Sequence, residues 1–350
     1  MTPRLLCSLS KPSGSFAPLG RSSHSANVVG DKLMVFGGEQ KPREPIDARL
    51  HVFDLASKTW TAIIDATSDA PSPRVGHGTA TLRDKIFLFG GRGGAEMRPF
   101  NDLYEFDAVA KKWSRVNQTG DVPPARSYFS TAASKASFAR VYHLCIGYSS
   151  IIKLLRLRRF QDHVYLFGGC PAEGRLNDLY RFDPKTTVWT QLPSHNSISP
   201  RGGAGLAYLN GRIYLHGGFN GQELNDLWAF DIASNSWQEL TTTDAVVPEG
   251  RSVHGFAAIE EKGVLVCMLG ERDPSAEGHL GAGKYHDDIW ILQPQTENAV
   301  SWRKASFADA AEKPSPRAWF PAASWKDSVV LHGGFTGNDR DDSVFVFRLE

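Results

Sequence analysis

One short segment combines residue types that could chelate a metal ion: Gly270 to His279, which reads GERDPSAEGH. Its end residues, Glu271 and His279, place a carboxylate and an imidazole eight positions apart. They lie in a loop rich in glycine, which allows the chain to fold back. Mixed oxygen and nitrogen ligands with open positions suit Fe(II), Mn(II) or zinc. Two ligands do not complete a site, so an ordinary polar loop stays the alternative.

The segment lies within a chain of six repeats, each of about 50 residues. Every unit has a short apolar strand that ends in a glycine pair, as in IFLFGG, or in the degenerate copy LVCMLGE. A second strand follows, in most units with an acidic lead as in NDLYEFD, and in five units a tryptophan comes next. An arginine opens each unit: Arg21, Arg74, Arg126, Arg201, Arg251 and Arg317.

These motifs resemble the kelch repeat, in which each unit is one four-stranded blade of a β-propeller. The sequence therefore predicts an all-β fold, a single six-bladed kelch propeller over residues 1–350. The last unit stops at FVFR with no fourth strand after it, whereas Arg4 to Leu9 is a candidate strand ahead of the first arginine. We expect this N-terminal strand to complete the last blade and to remove the free edges of the ring.

Residues 136–161 depart from the pattern. Ten positions separate Arg21 from Asp31, whereas Arg126 is followed by Asp162 at the corresponding place. The extra segment carries five basic residues and no acid. A basic amphipathic stretch could bind an acidic lipid surface or a partner; the alternative is a flexible insertion or a translated intron. We infer no function from it.

The composition excludes several classes of protein. A net charge of +1 gives no attraction to nucleic acid or to an anionic membrane. The N-terminus lacks a signal-peptide pattern, and no apolar run reaches 18 residues. The four cysteines (Cys7, Cys145, Cys170 and Cys267) show no paired spacing. We therefore expect a cytoplasmic protein with no nucleic-acid or membrane partner.

Residues that recur at the same place in several units predict structure rather than chemistry. His24, His77 and His254 each stand three residues after a repeat arginine, which indicates a place in the first strand. The acids of the NDL motifs stand at strand starts, where carboxylates hydrogen-bond to the backbone; they are Asp102, Asp178 and Asp226.

Non-periodic residues in the loops after the glycine pairs are the better functional candidates. These loops gather at one end of the channel, where ligand sites usually form. They contain Glu39, Arg92, Arg175 and Glu271. Two acids and two arginines at one mouth could bind a metal and an anion together, and a solvated loop rim is the alternative. The fifth loop is the longest, with 17 positions from Gly270 to Asp287.

The chain resembles one branch of the kelch proteins: the plant nitrile-specifier, epithiospecifier and thiocyanate-forming proteins. The resemblance rests on RSSHSANVVGDKL and FGGE in the first unit, FGGR in the second, RGGAG and RSV at the fourth and fifth arginines, and the GE....GH.G.G loop. It covers nearly the full length. It implies an iron(II)-dependent, non-hydrolytic lyase or isomerase that converts thiohydroximate-O-sulfates, released from glucosinolates, into nitriles and related products.

The resemblance also implies a ligand set. The family pattern Glu-x-x-x-Asp-x-x-x-His matches Glu271 and His279, and Ser275 stands where the family has aspartate. A hydroxyl is a poor ligand for iron(II), so Asp273 or Glu277 would have to replace the missing carboxylate.

The resemblance further assigns Arg92 to binding the anion, with Arg175 as a looser match and Glu39 beside them. It implies Fe(II) as cofactor and a small anionic substrate at the loop face. The iron would position the substrate sulfur, since the sequence offers no nucleophile–base pair.

Two other function classes stay open. A kelch propeller without chemistry would use its loop face to hold a protein partner, although no BTB, F-box or coiled-coil segment accompanies the repeats. The third possibility is a relative that acts on a different small molecule in a specialised metabolic pathway.

Overall fold

Six β-sheets, each assembled around one repeat, surround a central channel in the computed structural model. The structure describes residues 2–11, 17–63, 69–134, 138–147, 150–159, 162–275, 283–308 and 313–350, with the backbone alone for 62–63, 138–147 and 150–159. The first strand of each sheet contacts the first strands of both neighbouring sheets, so the ring closes around these inner strands. This confirms the all-β, six-bladed propeller.

Each blade has four antiparallel strands that run outward from the channel in chain order, except that the N-terminal strand takes the fourth place in blade 6. In blade 1 they are Ser25–Val29, Lys32–Phe36, Leu50–Asp54 and Thr59–Ile63; in blade 2, Gly78–Leu82, Lys85–Phe89, Leu103–Asp107 and Lys112–Arg115; in blade 3, Ser130–Ser134, His163–Gly169, Leu176–Asp183 and Val188–Leu192, with Thr119–Gly120 at the edge.

Blades 4 to 6 repeat this order. Their strands are Gly205–Leu209, Arg212–Phe219, Glu223–Asp231 and Ser236–Glu239 in blade 4; Gly255–Ile259, Val264–Met268, Ile289–Pro294 and Val300–Lys304 in blade 5; and Ala322–Trp325, Ser328–His332, Val344–Leu349 and Arg4–Ser10 in blade 6, with Ser306–Phe307 at the edge. A short 3-10 helix spans Glu260–Lys262. No helix in the described part of the chain is long and apolar enough to cross a membrane.

The chain ends meet in blade 6. The N-terminal strand pairs antiparallel with Val344–Leu349, from Leu5 opposite Leu349 to Ser10 opposite Val344. The predicted closure is therefore confirmed. Because the two ends of the chain supply neighbouring strands, the last blade acquires its fourth strand and the ring is fastened by backbone hydrogen bonds.

The core lies between the blades. Each tryptophan of an outer strand packs against the residue that precedes the glycine pair of the blade before it, as Trp113 does against Phe36 at 5.4 Å between ring centroids. The same contact recurs for Trp189 with Phe89, Trp237 with Phe167, Trp302 with His216 and Trp60 with His332. The period of the tryptophans thus follows from one packing position that is repeated around the ring.

The off-pattern segment of blade 3 forms its own hairpin. Phe138–Gly147 pairs antiparallel with Ser150–Arg159. Beneath it the blade keeps its register, with Ser134 opposite His163. Setting residues 136–161 aside would leave two residues between this pair, the same spacing as between Leu82 and its partner Lys85 in blade 2.

Candidate functional site

Each repeat arginine is buried and connects three parts of its unit. Arg126 donates to the carbonyl oxygen of Gly168 at 3.0 Å and to both carboxylate oxygens of Asp178 at 2.6 and 2.9 Å. The six pairs are Arg21–Asp47, Arg74–Asp102, Arg126–Asp178, Arg201–Asp226, Arg251–Asp288 and Arg317–Asp341. The NDL acids therefore bind these guanidinium groups rather than the backbone we expected, since a buried cation requires a counter-charge.

A closed ring of backbone hydrogen bonds lies at the mouth of the channel. The residue two positions after each repeat arginine donates its N–H to the carbonyl of the equivalent residue in the preceding blade. The six bonds, 2.7 to 3.0 Å long, run from Trp319 to Val253, Val253 to Gly203, Gly203 to Tyr128, Tyr128 to Gly76, Gly76 to Ser23 and Ser23 to Trp319. The loops beside this ring are consequently held at fixed positions.

All six ring residues have left-handed backbone conformations, with φ of 51° at Tyr128 and 55° at Trp319. Side chains rarely adopt this region. Where the ring has glycine, the neighbouring side chain fills the space: a Cβ on Gly76 would lie 3.0 Å from the Tyr128 ring, and one on Gly203 would lie 2.9 Å from Val253. Sequence reasoning missed these residues, although their fixed position after the arginine was a usable signal.

A cavity of about 270 Å³ opens beside this ring. Residues of blades 3 to 6 line it, among them Tyr128, Cys170, Arg175, Phe219, Glu271 and Trp319. Aromatic walls with a few charged groups are typical of small-molecule sites. A larger space of about 820 Å³ follows the inner strands toward the other end of the channel. Charged residues at its rim pair with one another, as Arg83 does with Asp162 at 2.9 Å.

Arg175 lines this cavity, and the charge of Arg92 acts on Cys170, another residue of its lining. Arg92 donates to the Ser127 hydroxyl at 2.8 Å, and the guanidinium of Arg175 lies 4.8 Å from the centre of the Phe219 ring. Burial raises the pKa of the Cys170 thiol, and the charges of Arg175 and Arg92 both act to lower it. The two cations therefore flank the same thiol and could hold an anion between them.

Glu39 forms hydrogen bonds and an ion pair with neighbouring residues at the channel mouth. Its carboxylate accepts the backbone N–H of Arg43 at 2.7 Å and lies 3.4 Å from Nη2 of Arg340. Arg340 also donates to the Ser22 hydroxyl at 2.9 Å and stacks on Phe335. Glu39 thus positions Arg340, a residue of the sixth unit that sequence reasoning did not select.

Glu271, which is buried, and Glu223, which is half-buried, form an acid pair at the same mouth. Burial raises the pKa of Glu271 to about 7. Burial, followed by the charge of Glu271, raises the pKa of Glu223 to about 8, although the Ser252 hydroxyl donates to its Oε1 at 3.1 Å. Among the described residues, no group hydrogen-bonds to the buried Oε2 of Glu223. A bound cation would stabilise the ionised forms of both carboxyl groups, because it would compensate their negative charges.

The other proposed ligands do not join this pair in the described residues. A bulge separates Glu271 from Asp273, so two side chains that would share a face in a regular strand diverge. Asp273 is 57% exposed and ion-paired with Lys284 at 3.0 Å. Ser275 is half-buried after the bulge. His279 and Glu277 lie outside the described residues, so their role as ligands stays a prediction.

Comparison with known proteins decides the family. The model of the KLHDC2/KLHL20/DRC7 Kelch-repeats domain matches residues 4–148 and 158–268. The chain belongs to the kelch-repeat family. Its propeller is also similar to the solved structure of YjhT, with a TM-score of 0.67 at 16% identity over 95% of this chain and 98% of that one. That likeness concerns the fold alone.

The names of the curated relatives of this kelch protein point to different functions. The N-(sulfonatooxy)prop-2-enimidothioate sulfolyase of Thlaspi arvense is 29% identical over 96% of this chain and 94% of its own length. Acyl-CoA-binding domain-containing protein 5 of Arabidopsis thaliana is 27% identical over 58% of this chain, and Kelch domain-containing protein 3 of Rattus norvegicus is 27% identical over 57%. The matches span 28% and 64% of those two proteins.

Proposed function

We propose that the loop face binds a small N-sulfonatooxy thioimidate and releases sulfate from it, as an Fe(II)-dependent lyase. The observation that carries the proposal is that Arg175, the aromatic walls and Glu271 line one cavity, while Arg92 and Glu223 are electrostatically coupled to its lining residues Cys170 and Glu271. The name of the Thlaspi arvense relative, which aligns over nearly its whole length, supports the same substrate class.

The chemistry requires few protein groups. The N–O bond breaks and its electron pair leaves on the sulfate oxygen. The remaining atoms form a neutral product that either keeps the sulfur, as an organic thiocyanate does, or is a nitrile whose C–S bond has also broken with release of neutral sulfur. Charge balances, because the substrate with its thiolate and sulfate ester carries the same two negative charges as free sulfate. Arg92 and Arg175 would hold the leaving sulfate. The apolar side chain of the substrate would pack against Tyr128, Phe219 and Trp319.

The acid pair fits a divalent cation. Glu271 and Glu223 would hold a ferrous ion, and the unpartnered Oε2 of Glu223 supports this assignment. Glu223 then supplies the carboxylate that Ser275 cannot. When bound, the ion would provide a Lewis-acid site for the substrate sulfur. His279 remains a further proposed ligand.

The test combines iron binding with product analysis. The full chain is loaded with Fe(II) under anaerobic conditions, and a thiohydroximate-O-sulfate is generated in its presence. We expect near-stoichiometric iron, nitrile-type products, and sulfate release above the rate without protein. Glu271→Gln and Glu223→Gln should lose both iron and product, whereas Asp273→Asn, an exposed acid of the same loop, should keep them.

The competing function is a propeller that only holds a protein partner at the loop face. A folded chain that takes up no iron and accelerates no sulfate release would overturn the lyase proposal in its favour. Iron uptake without sulfate release from any thiohydroximate-O-sulfate would instead favour a different small-molecule substrate.

A further inference from the structure

A second group of metal-ligating side chains lies between blades 4 and 5. His216, His254 and Cys267 are buried, and one ligand atom from each lies within 4.8 Å of the others. Nδ1 of His216 is 3.2 Å from Nε2 of His254 and 3.7 Å from Sγ of Cys267. Ligand atoms around one tetrahedral ion are roughly 3.3–3.8 Å apart when metal–nitrogen and metal–sulfur bonds are about 2.0 and 2.3 Å. The two distances from Nδ1 of His216 are close to that spacing, and the third ligand–ligand distance is no more than 4.8 Å.

Comparison of the six blades shows how this place differs. The position of Cys267, three residues before the second glycine, is apolar in the other units: Val35, Leu88, Leu166, Leu215 and Leu331. Facing histidines occur at two blade interfaces, here and between blades 6 and 1, where Nε2 of His24 is 2.9 Å from Nδ1 of His332. Cys267 therefore replaces an aliphatic residue at one of the two blade interfaces that contain a pair of facing histidines.

We propose that His216, His254 and Cys267 form a binding site for a copper(I) ion. Two imidazoles and one thiolate are a ligand set that copper binds in proteins. A monovalent ion and a thiolate sum to zero charge, which limits the desolvation cost in a dry interface. Zinc would add a net charge and normally requires a fourth ligand, which no further side chain in the described residues provides to this cluster.

The surroundings are compatible with a neutral centre. The nearby Arg251 is paired with Asp288 at 2.8 Å. In the metal-free protein the Cys267 thiol lies 3.7 Å from Nδ1 of His216, the contact of an S–H donor with an imidazole nitrogen. Binding of copper(I) displaces that proton and leaves each imidazole N–H on its other nitrogen. No electron is transferred, because the ion enters already reduced.

The chain itself supplies conservative replacements for every ligand. Valine stands at position 35, phenylalanine at positions 36, 89 and 167, and phenylalanine again at 129 and 320, all equivalent to ligand positions. Cys267→Val, His216→Phe and His254→Phe should therefore fold, which circular dichroism can check. We expect the wild type to take one copper(I) per chain from a colorimetric copper(I) chelator in an anaerobic competition, and each variant to bind it at least a hundredfold more weakly. Equal affinity in folded Cys267→Val would overturn the proposal.

The interface between blades 6 and 1 offers a gain-of-site test. Val35→Cys places a thiol beside His24 and His332, and the copper stoichiometry should rise from one to two. X-ray absorption should report one sulfur and two nitrogen ligands at each site. A folded Val35→Cys variant that still binds a single ion would overturn the proposed geometry, and tighter binding of zinc than of copper(I) would overturn the choice of metal.

Discussion

Glu223 of blade 4 and Glu271 of the fifth loop are electrostatically coupled, and the charge of Glu271 adds to burial in raising the pKa of Glu223 to about 8. A carboxyl with a raised pKa binds its proton more tightly in the folded than in the unfolded protein. Its contribution to stability is therefore complete below the unfolded pKa of about 4.5 and is lost as the pH rises toward about 8.

Removal of this charge should stabilise the metal-free protein at alkaline pH. We expect Glu223→Gln to exceed the wild type by about 1–2 kcal/mol at pH 8, a value reduced because the carboxyl is partly accessible to water. The two proteins should converge near pH 5. Urea unfolding in the presence of a chelator measures this, with Asp31→Asn as the control, because Asp31 lies in blade 1 and does not act on Glu223. Parallel pH profiles for wild type and Glu223→Gln would contradict the coupling.

Loss of one aspartate that pairs with a repeat arginine should lower the stability of the fold. Asp178→Asn leaves the buried Arg126 without its counter-charge, and we expect a loss of about 3–5 kcal/mol in the free energy of unfolding. The control is Asp31→Asn, which breaks the exposed pair with Lys326 at 2.8 Å and should cost less than about 1 kcal/mol. Similar losses of unfolding free energy for both variants in chemical denaturation would show that Arg126 and Asp178 do not behave as a buried ion pair.

The interblade histidines should make the fold sensitive to acid. Burial, aided by the charge of Arg74, lowers the pKa of His77 to about 3 from 6.5. The unfolded chain therefore binds a proton that the folded chain does not, and stability is lost as the pH falls from about 6.5 toward 3, at up to about 1.4 kcal/mol per pH unit. His77→Phe, the residue at equivalent positions 129 and 320, should flatten this slope in unfolding measurements between pH 7 and 4. An unchanged slope would show that His77 does not titrate on unfolding.

The off-pattern hairpin should be dispensable. Joining Lys135 to Asp162 restores the two-residue spacing between the paired residues Ser134 and His163. We expect the deletion of residues 136–161 to fold, with a free energy of unfolding within about 1 kcal/mol of the full chain. Circular dichroism and thermal unfolding test this. A chain that fails to fold without the segment would make the hairpin part of the propeller core.

The loop arginines should decide anion binding. We expect Arg175→Gln to weaken the binding of inorganic sulfate about tenfold, which corresponds to ~1.4 kcal/mol. Arg181→Gln, which removes a cation from the outer part of the same sheet, is the matched control and should leave the affinity unchanged. Titration calorimetry at fixed ionic strength separates the two. Equal loss in both variants would indicate nonspecific charge attraction rather than a site.

The sequence alone determined the fold, because each blade repeats the same local requirements. Arginine, glycine pair and tryptophan recur since each fills one position of a six-fold packing scheme, and the missing last strand identified the N-terminal segment as its replacement. The same periodicity predicted equivalent places for His24, His77 and His254, and all three are buried. Arg92, Arg175 and Glu271 were selected as candidates because they interrupt the repeat.

Contacts across blades were decided by tertiary structure alone. Glu223 meets Glu271 from the neighbouring blade, and Arg340 meets Glu39 across the closure of the ring. The ring at Tyr128 and Trp319 exists only once six blades meet. The bulge after Glu271 turned Asp273 outward, which spacing along the chain could not foretell, because a single extra residue reverses the direction of a side chain. Local pattern fixes which residues form a blade, whereas the closure of the ring fixes which loops face one another.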